Sequence, residues 1–196
     1  MTAESVKHRV QWPVPPQDGY TVDDLFTLPD LPPHTELLDG SLVFVSPQRA
    51  FHADAIDLLV TGLRLGLPAE FKVKREMTII LDERNGPEPD VSVVRADAIK
   101  GPDQTSYRAE DVLLAVEVVS PDSESRDRTT KPQKYAAAGI PSFWRVERDG
   151  NGRPLVHVYE LDPMTHAYVH MGMHRDQVKV DKPYDIAIDL TAIDEL

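Results

Sequence analysis

The sequence predicts a strand-rich α/β fold with two principal helices and additional strands at the C-terminal end. Three observations carry that expectation. Residues 111–119, Asp-Val-Leu-Leu-Ala-Val-Glu-Val-Val, are apolar at nearly every position, as in a central strand covered on both faces. Helical patterns lie before and after that run, at Gln48–Gly66 and about Thr130–Ala138. Beyond Ser142, short segments separated by Gly and Pro turns read as successive strands.

The elements follow in order. Pro13, Pro15 and Pro16 remove backbone donors and favour extended chain, so residues 1–19 are expected to form an N-terminal arm and residues 20–196 a single domain. Thr21 with Asp24 three residues later resembles a capping box, opening a short helix that Pro29 and Pro32-Pro33 stop. Asp39-Gly40 between two apolar stretches marks a hairpin from Glu36 to Val45. Ile56, Leu59, Val60 and Leu63 form one helical face, ended by Gly66 and Pro68.

Between Phe71 and Asp82 apolar and polar residues alternate, which predicts a half-buried strand or hairpin, and Asp90–Val94 reads as a short apolar strand. Ser120–Arg128 reads as a polar loop before the second helix, which Gly139 and Pro141 terminate. Strands are then expected at Ser142–Glu147, Leu155–Leu161, Ala167–Met171 and Tyr184–Leu190.

Composition narrows the chemistry. The 196 residues include no cysteine, which excludes thiol nucleophiles and thiolate metal sites in this chain. Met1–Val10 lacks the apolar core of a secretory leader, and no apolar run approaches the roughly 20 residues of a membrane span, so a cytoplasmic protein without membrane association is expected. The net charge of −12 disfavours loose coating of nucleic acid. Walker, dinucleotide-binding and Gly-x-Ser-x-Gly patterns are absent from the sequence.

Two carboxylates stand at the ends of apolar strands, Asp90 after Pro89 and Glu117 inside an otherwise uncharged run. A carboxylate at such a position needs a cation or a strong donor set, which a structural ion pair or a metal could supply. Hard oxygen ligands on two strands suit magnesium or manganese. Arg126, Arg128, Lys131 and Lys134 oppose only Asp127, a local basic cluster that reads either as a solvated helix start or as a phosphate site. Lys131 and Lys134 are spaced to share one helix face. His166, His170 and His174 are spaced by four but lie in a strand-like segment, so they are not expected to share a metal. His52, near the start of the first long helix, is either a functional imidazole or a cap or surface group.

Taken in order, Glu36-Leu37-Leu38-Asp39-Gly40, Ser46-Pro47 with His52, Pro89-Asp90-Val91-Ser92-Val93-Val94, Glu117-Val118-Val119-Ser120-Pro121, Asp127, Lys131, Tyr135, Gly139 and Phe143-Trp144 form a recognisable set. In these residues, roughly from Thr21 to Glu147, the chain resembles the Uma-two family of restriction-endonuclease-like proteins, a branch of the PD-(D/E)XK nuclease superfamily. The resemblance implies a restriction-endonuclease-like core, a mixed sheet flanked by helices with the site at one sheet edge. It implies Asp90 and Glu117 as ligands of Mg2+ or Mn2+. The superfamily's lysine two residues past the Glu is Val119 here, and the family pattern points instead to Lys131, with Lys134 as a substitute on the same face. Glu36 matches the family's first acidic position and would complete the metal shell, and Tyr135 and His52 would support the site.

The function implied is metal-dependent endonucleolytic hydrolysis of nucleic acid, DNA foremost, and a homodimer is compatible with it. The competing expectation is a non-catalytic binding or assembly protein on the same scaffold. Because the chain is acidic, substrate binding is expected to depend strongly on the metal.

Overall fold

The computed structural model describes residues 14–196, so most of the expected N-terminal arm lies outside the described residues. The chain is tied down at Gly19 and Tyr20, whose N–H groups donate to the carbonyls of Pro16 and Gly40. Helix α1 (Val22–Thr27) opens with the capping box expected of Thr21: its side chain accepts from the Asp24 N–H, and Asp24 accepts from the Thr21 N–H at 2.8 Å. Strands β1 (Glu36–Leu38) and β2 (Ser41–Val43) form the expected hairpin. Asp39 and Gly40 at its tip have φ of 50° and 73°, the two positive values that a type I′ turn requires.

Helix α2 (Ala50–Arg64) buries Ile56, Leu59, Val60 and Leu63 on one face. Gly62 permits a close crossing, since a Cβ there would sit 2.7 Å from the side chain of Ile188.

The alternation after Phe71 divides into β3 (Phe71–Arg75) and β4 (Thr78–Ile80), which are neither one strand nor a hairpin. The chain turns at Glu76, with φ of 48°, so that β3 pairs antiparallel with β5 (Val91–Arg95) while β4 pairs in parallel with β6 (Ser106–Arg108). The apolar run forms β7 (Val112–Val118), buried at every position except the half-buried Leu113.

The segment after β7 departs from the expected loop. Its Ser, Pro and Asp content reads as coil, yet Arg126–Thr130 forms a π-turn that runs directly into α3 (Lys131–Ala137). Local propensity loses here to the burial of Asp127 and Lys131, which the π-turn aims inward.

Strands β8 (Ser142–Arg148), β9 (Pro154–Asp162) and β10 (Ala167–His174) follow as a meander, then β11 (Gln177–Val180) and β12 (Ile186–Asp189) as a separate antiparallel pair. The short strands β6 and β11 carry too few apolar positions to stand out in the sequence. The main sheet has the order β10-β9-β8-β7-β5-β3 and is mixed: β7 and β8 run parallel, and the other neighbours antiparallel.

This sheet has two differently filled faces. Leu114, Val116 and Val118 of β7 join α2, Trp144, Val146 and the β11–β12 pair in the larger core. Ala115 joins Tyr135 and Phe143 beneath α3 in a second. Alternation puts Glu117 on the face of Ala115, at the end where that second core stops. Among the described residues, no helix is long and apolar enough to cross a membrane.

Candidate active site

Register brings the two strand-end carboxylates together. Val91 pairs with Val116, and continuing that antiparallel register sets Asp90 opposite Glu117 on the same face of the sheet. Asp90 is fixed by its neighbours: Oδ2 accepts the Val118 N–H at 2.6 Å, and Oδ1 lies 3.3 Å from His52 Nε2 at the start of α2. Both carboxylates line a cavity of about 550 Å³ that also receives Glu36, Lys131, Asp127, His52 and Arg126.

Glu117 is buried, and both its oxygens are engaged. Oε2 accepts from Lys131 Nζ at 3.0 Å and Oε1 from the Tyr135 hydroxyl at 2.6 Å. These donors are one helical turn apart on α3, so a single helix face serves both oxygens. Lys131 Nζ further lies 2.7 Å from Glu36 Oε1 and 3.5 Å from Asp127 Oδ1. Glu36 is held from the other side by the Glu88 N–H, which donates to Oε1 at 2.9 Å. Hydrogen bonds between Leu37 and Gly86 in both directions seat the β1–β2 hairpin against the segment that leads to Glu88.

Electrostatics follow from burying one ammonium among several carboxylates. Burial by itself pulls the Lys131 ammonium down, but Glu117, Glu36, Asp127 and Asp90 outweigh it and hold Lys131 well above the usual lysine value. Lys131 is therefore cationic in the folded protein. Burial also pushes the Glu117 carboxyl upward against the attraction of Lys131, and Asp127 moves the same way for the same reason. The Tyr135 phenol is raised by burial and by the charge of Glu117, so it remains a hydrogen-bond donor. For His52 burial favours the neutral ring, and the bond and charge of Asp90 with other acids more than offset it.

The cavity is acidic: Glu36, Glu76, Glu88, Asp90, Glu117, Asp122 and Asp127 face Arg49, Arg126 and Lys131. Among the described residues, no group of three or more His, Asp or Glu side chains forms a ready metal cage, and Lys131 Nζ sits where Glu36, Glu117 and Asp127 converge. The remaining donor set, Asp90 with Glu117, still suits Mg2+ or Mn2+, because such ions are commonly held by one or two carboxylates with waters and phosphate oxygens completing the shell.

Of the residues singled out in the sequence, Glu36, His52, Asp90, Glu117, Lys131 and Tyr135 converge. Lys134 does not: its Nζ turns to Asp39 Oδ1 at 2.5 Å, on the tip of the β1–β2 hairpin. Val119 shares the face of Glu117 by strand alternation and supplies no charge, so the ammonium beside Glu117 comes from the helix. His166, His170 and His174 are not gathered, and His170 instead approaches His157 at 3.4 Å.

Three contributors were not distinguished as site residues in the sequence. Asp127 looked like one acid within a basic cluster, and only the π-turn shows that it faces inward. Glu88, in the coil two residues before Asp90, lines the same cavity and pairs with His34 at 2.5 Å. Glu76 reaches the cavity through the backbone turn at its own position.

The Uma2 family model, described as "Putative restriction endonuclease", matches residues 22–191. The chain belongs to the Uma2 family. This Uma2 chain is similar in fold to a solved structure described as a putative nuclease belonging to DUF820 from Anabaena variabilis ATCC 29413. The TM-score is 0.61 at 16% identity, over 90% of this chain and 92% of that one. A second structure, NucC of E. coli MS115-1 in its apo form, aligns at 18% identity over 58% of this chain and 54% of that one, with a TM-score of 0.28 that carries no argument. No curated protein matches this Uma2 chain. Family and fold together give the restriction-endonuclease-like architecture: a six-stranded mixed sheet with the carboxylate pair at the end of two of its strands.

Proposed function

We propose that this Uma2 protein is a metal-dependent endonuclease that hydrolyses phosphodiester bonds of DNA. One observation carries the reading: Asp90 and Glu117, opposed across β5 and β7, open together on an acidic cavity with a lysine fixed at the second carboxylate. Asp90 and Glu117 would hold a divalent cation, which when bound supplies Lewis-acid stabilisation of phosphate charge and a water acidified enough to act as nucleophile.

The protein's own groups have separate tasks. Lys131 keeps a proton on Nζ and offers positive charge beside Glu117, where negative charge develops during phosphoryl transfer. Glu36 and Asp127 hold that ammonium in place. Tyr135 fixes the rotamer of Glu117 through Oε1, and His52 with the Val118 N–H does the same for Asp90. The surplus of carboxylates repels a bare phosphate, so substrate enters productively only with the cation, and DNA affinity falls sharply in chelator.

Cleavage of DNA in magnesium or manganese tests the assignment. Asp90→Asn and Glu117→Gln each reduce the rate by about 10³-fold, as removal of a group stabilising transition-state charge does elsewhere. Cleavage by both variants at the wild-type rate overturns the site. A second reading, a non-catalytic assembly module, draws on the saturation of both Glu117 oxygens by protein donors. It predicts no magnesium or manganese binding at millimolar concentration and no cleavage by the wild type.

A further inference from the structure

The basic cluster that begins at Arg126 is sorted by the structure into paired and unpaired cations. Arg128 bonds Glu147 through Nε and Nη2 and also pairs with Glu124. Lys131 is surrounded by Glu36, Glu117 and Asp127, and Lys134 is taken by Asp39. Among the described residues, Arg126 alone of the four has no ion pair and no side-chain hydrogen bond, and its Nε is buried without a partner. It lines the same cavity as Asp90 and Glu117.

That isolation is informative in a cavity so rich in carboxylates. A buried guanidinium nitrogen left without an acceptor is costly. The π-turn instead sends Asp127, the next residue, to Lys131 and leaves Arg126 facing the open volume. Arg49 also lines the cavity without an ion pair among the described residues, but it is exposed and is not among the buried unpaired groups. The two Nη groups of Arg126, by contrast, are not buried and have no protein partner among the described residues, so they are open to an acceptor from outside the chain. A guanidinium presents a planar fork of donors that matches two oxygens of a phosphate.

We propose that Arg126 is the phosphate-binding residue of this cavity, contacting the non-bridging oxygens of a nucleic-acid phosphodiester beside the Asp90–Glu117 pair. The assignment rests on the nuclease reading and divides the cavity into a cation subsite on the strands and an anion subsite on the π-turn. Arg126 thereby selects an anionic diester over a neutral one.

The test uses thymidylyl-thymidine, which has one phosphodiester, and its uncharged methylphosphonate analogue. Both are titrated into the full-length protein by NMR, with magnesium and with chelator. The wild type prefers the phosphodiester, and Arg126→Gln narrows that preference about tenfold, the loss of one charge-assisted contact. Arg126→Lys keeps part of the preference, since it retains the charge and loses the fork. Arg128→Gln, at a guanidinium already held by carboxylates, leaves it unchanged. Magnesium affinity in Arg126→Gln stays at or above the wild-type value, because a neighbouring positive charge has gone. Equal discrimination in wild type and Arg126→Gln overturns the proposal, as does a magnesium-loaded wild type without discrimination. A wild type that binds no magnesium overturns the nuclease reading instead, while the change that Arg126→Gln makes to the ratio of the two affinities in chelator still reports on Arg126.

Discussion

On one face of the main sheet β7 presents Leu114, Val116 and Val118 to α2; on the other it presents Ala115 and then Glu117 to α3. The first face is apolar to its ends, with Trp144, Val146, Val156 and Val158 continuing it across β8 and β9. The second begins as an aromatic core around Phe143 and Tyr135 and ends in four carboxylates about one ammonium. Strand alternation alone separates the two, so residues adjacent in sequence have unrelated roles. Hydrophobic burial on the α2 face offsets the unfavourable burial of charge on the α3 face.

The difference is sharpest in Lys131→Ala. Removing Nζ leaves buried carboxylates without their cation, and stability at pH 7 falls by about 3–5 kcal/mol. The sign with pH is fixed: Glu117 and Asp127 are already raised by burial, so the folded variant binds protons more tightly than the unfolded chain. Its deficit therefore shrinks as pH falls from 7 towards 5, which urea melts at the two pH values would register. A deficit unchanged by pH would break the distinction between the faces.

Leu59→Ala on the α2 face costs about 2–5 kcal/mol by the same measurement, from lost burial and the cavity left behind. Leu59 is wholly buried in the apolar core, and its loss has no pH dependence over that range. The metal binding proposed for Asp90 and Glu117 is expected to survive in the fraction that stays folded.

The smallest effect lies at the rim. Burial raises the Glu147 carboxyl, but bonds from Arg128 and the charge of Arg145 outweigh it and hold the group below its ordinary value of 4.5. Its contribution is present above that value and fades as pH drops through the lower folded one. Glu147→Gln thus costs less than about 1 kcal/mol at neutral pH, because Arg128 is exposed and the pair is screened. The same substitution is neutral in strong acid.

The sequence was most legible where one residue's neighbours in the chain decide its conformation. Thr21 and Asp24 cap a helix within four residues, Asp39-Gly40 turns a hairpin, and the spacing of Ile56, Leu59 and Leu63 marks the buried side of α2. Asp90 and Glu117 were visible because a charge beside an apolar strand stands out. What stayed hidden depends on partners far along the chain. Lys131 meets Glu36 of the β1–β2 hairpin, β4 leaves the main sheet to pair with β6, and Lys134 turns from the site to the hairpin tip. Helical spacing sets the face on which a side chain lies but not which neighbour will meet it.

The β1–β2 hairpin sits outside the main sheet, carries Glu36 into the cavity, and is clasped by Lys134 to Asp39 across 95 residues of chain. The proposed catalytic constellation is consequently discontinuous: hairpin, strand ends and π-turn each supply part, and no local fragment contains it. A chain whose hairpin is not docked does not bring Glu36 to Lys131, so the hydrolytic competence proposed here requires that docking. For a protein proposed to cut DNA, assembly itself acts as the safety catch.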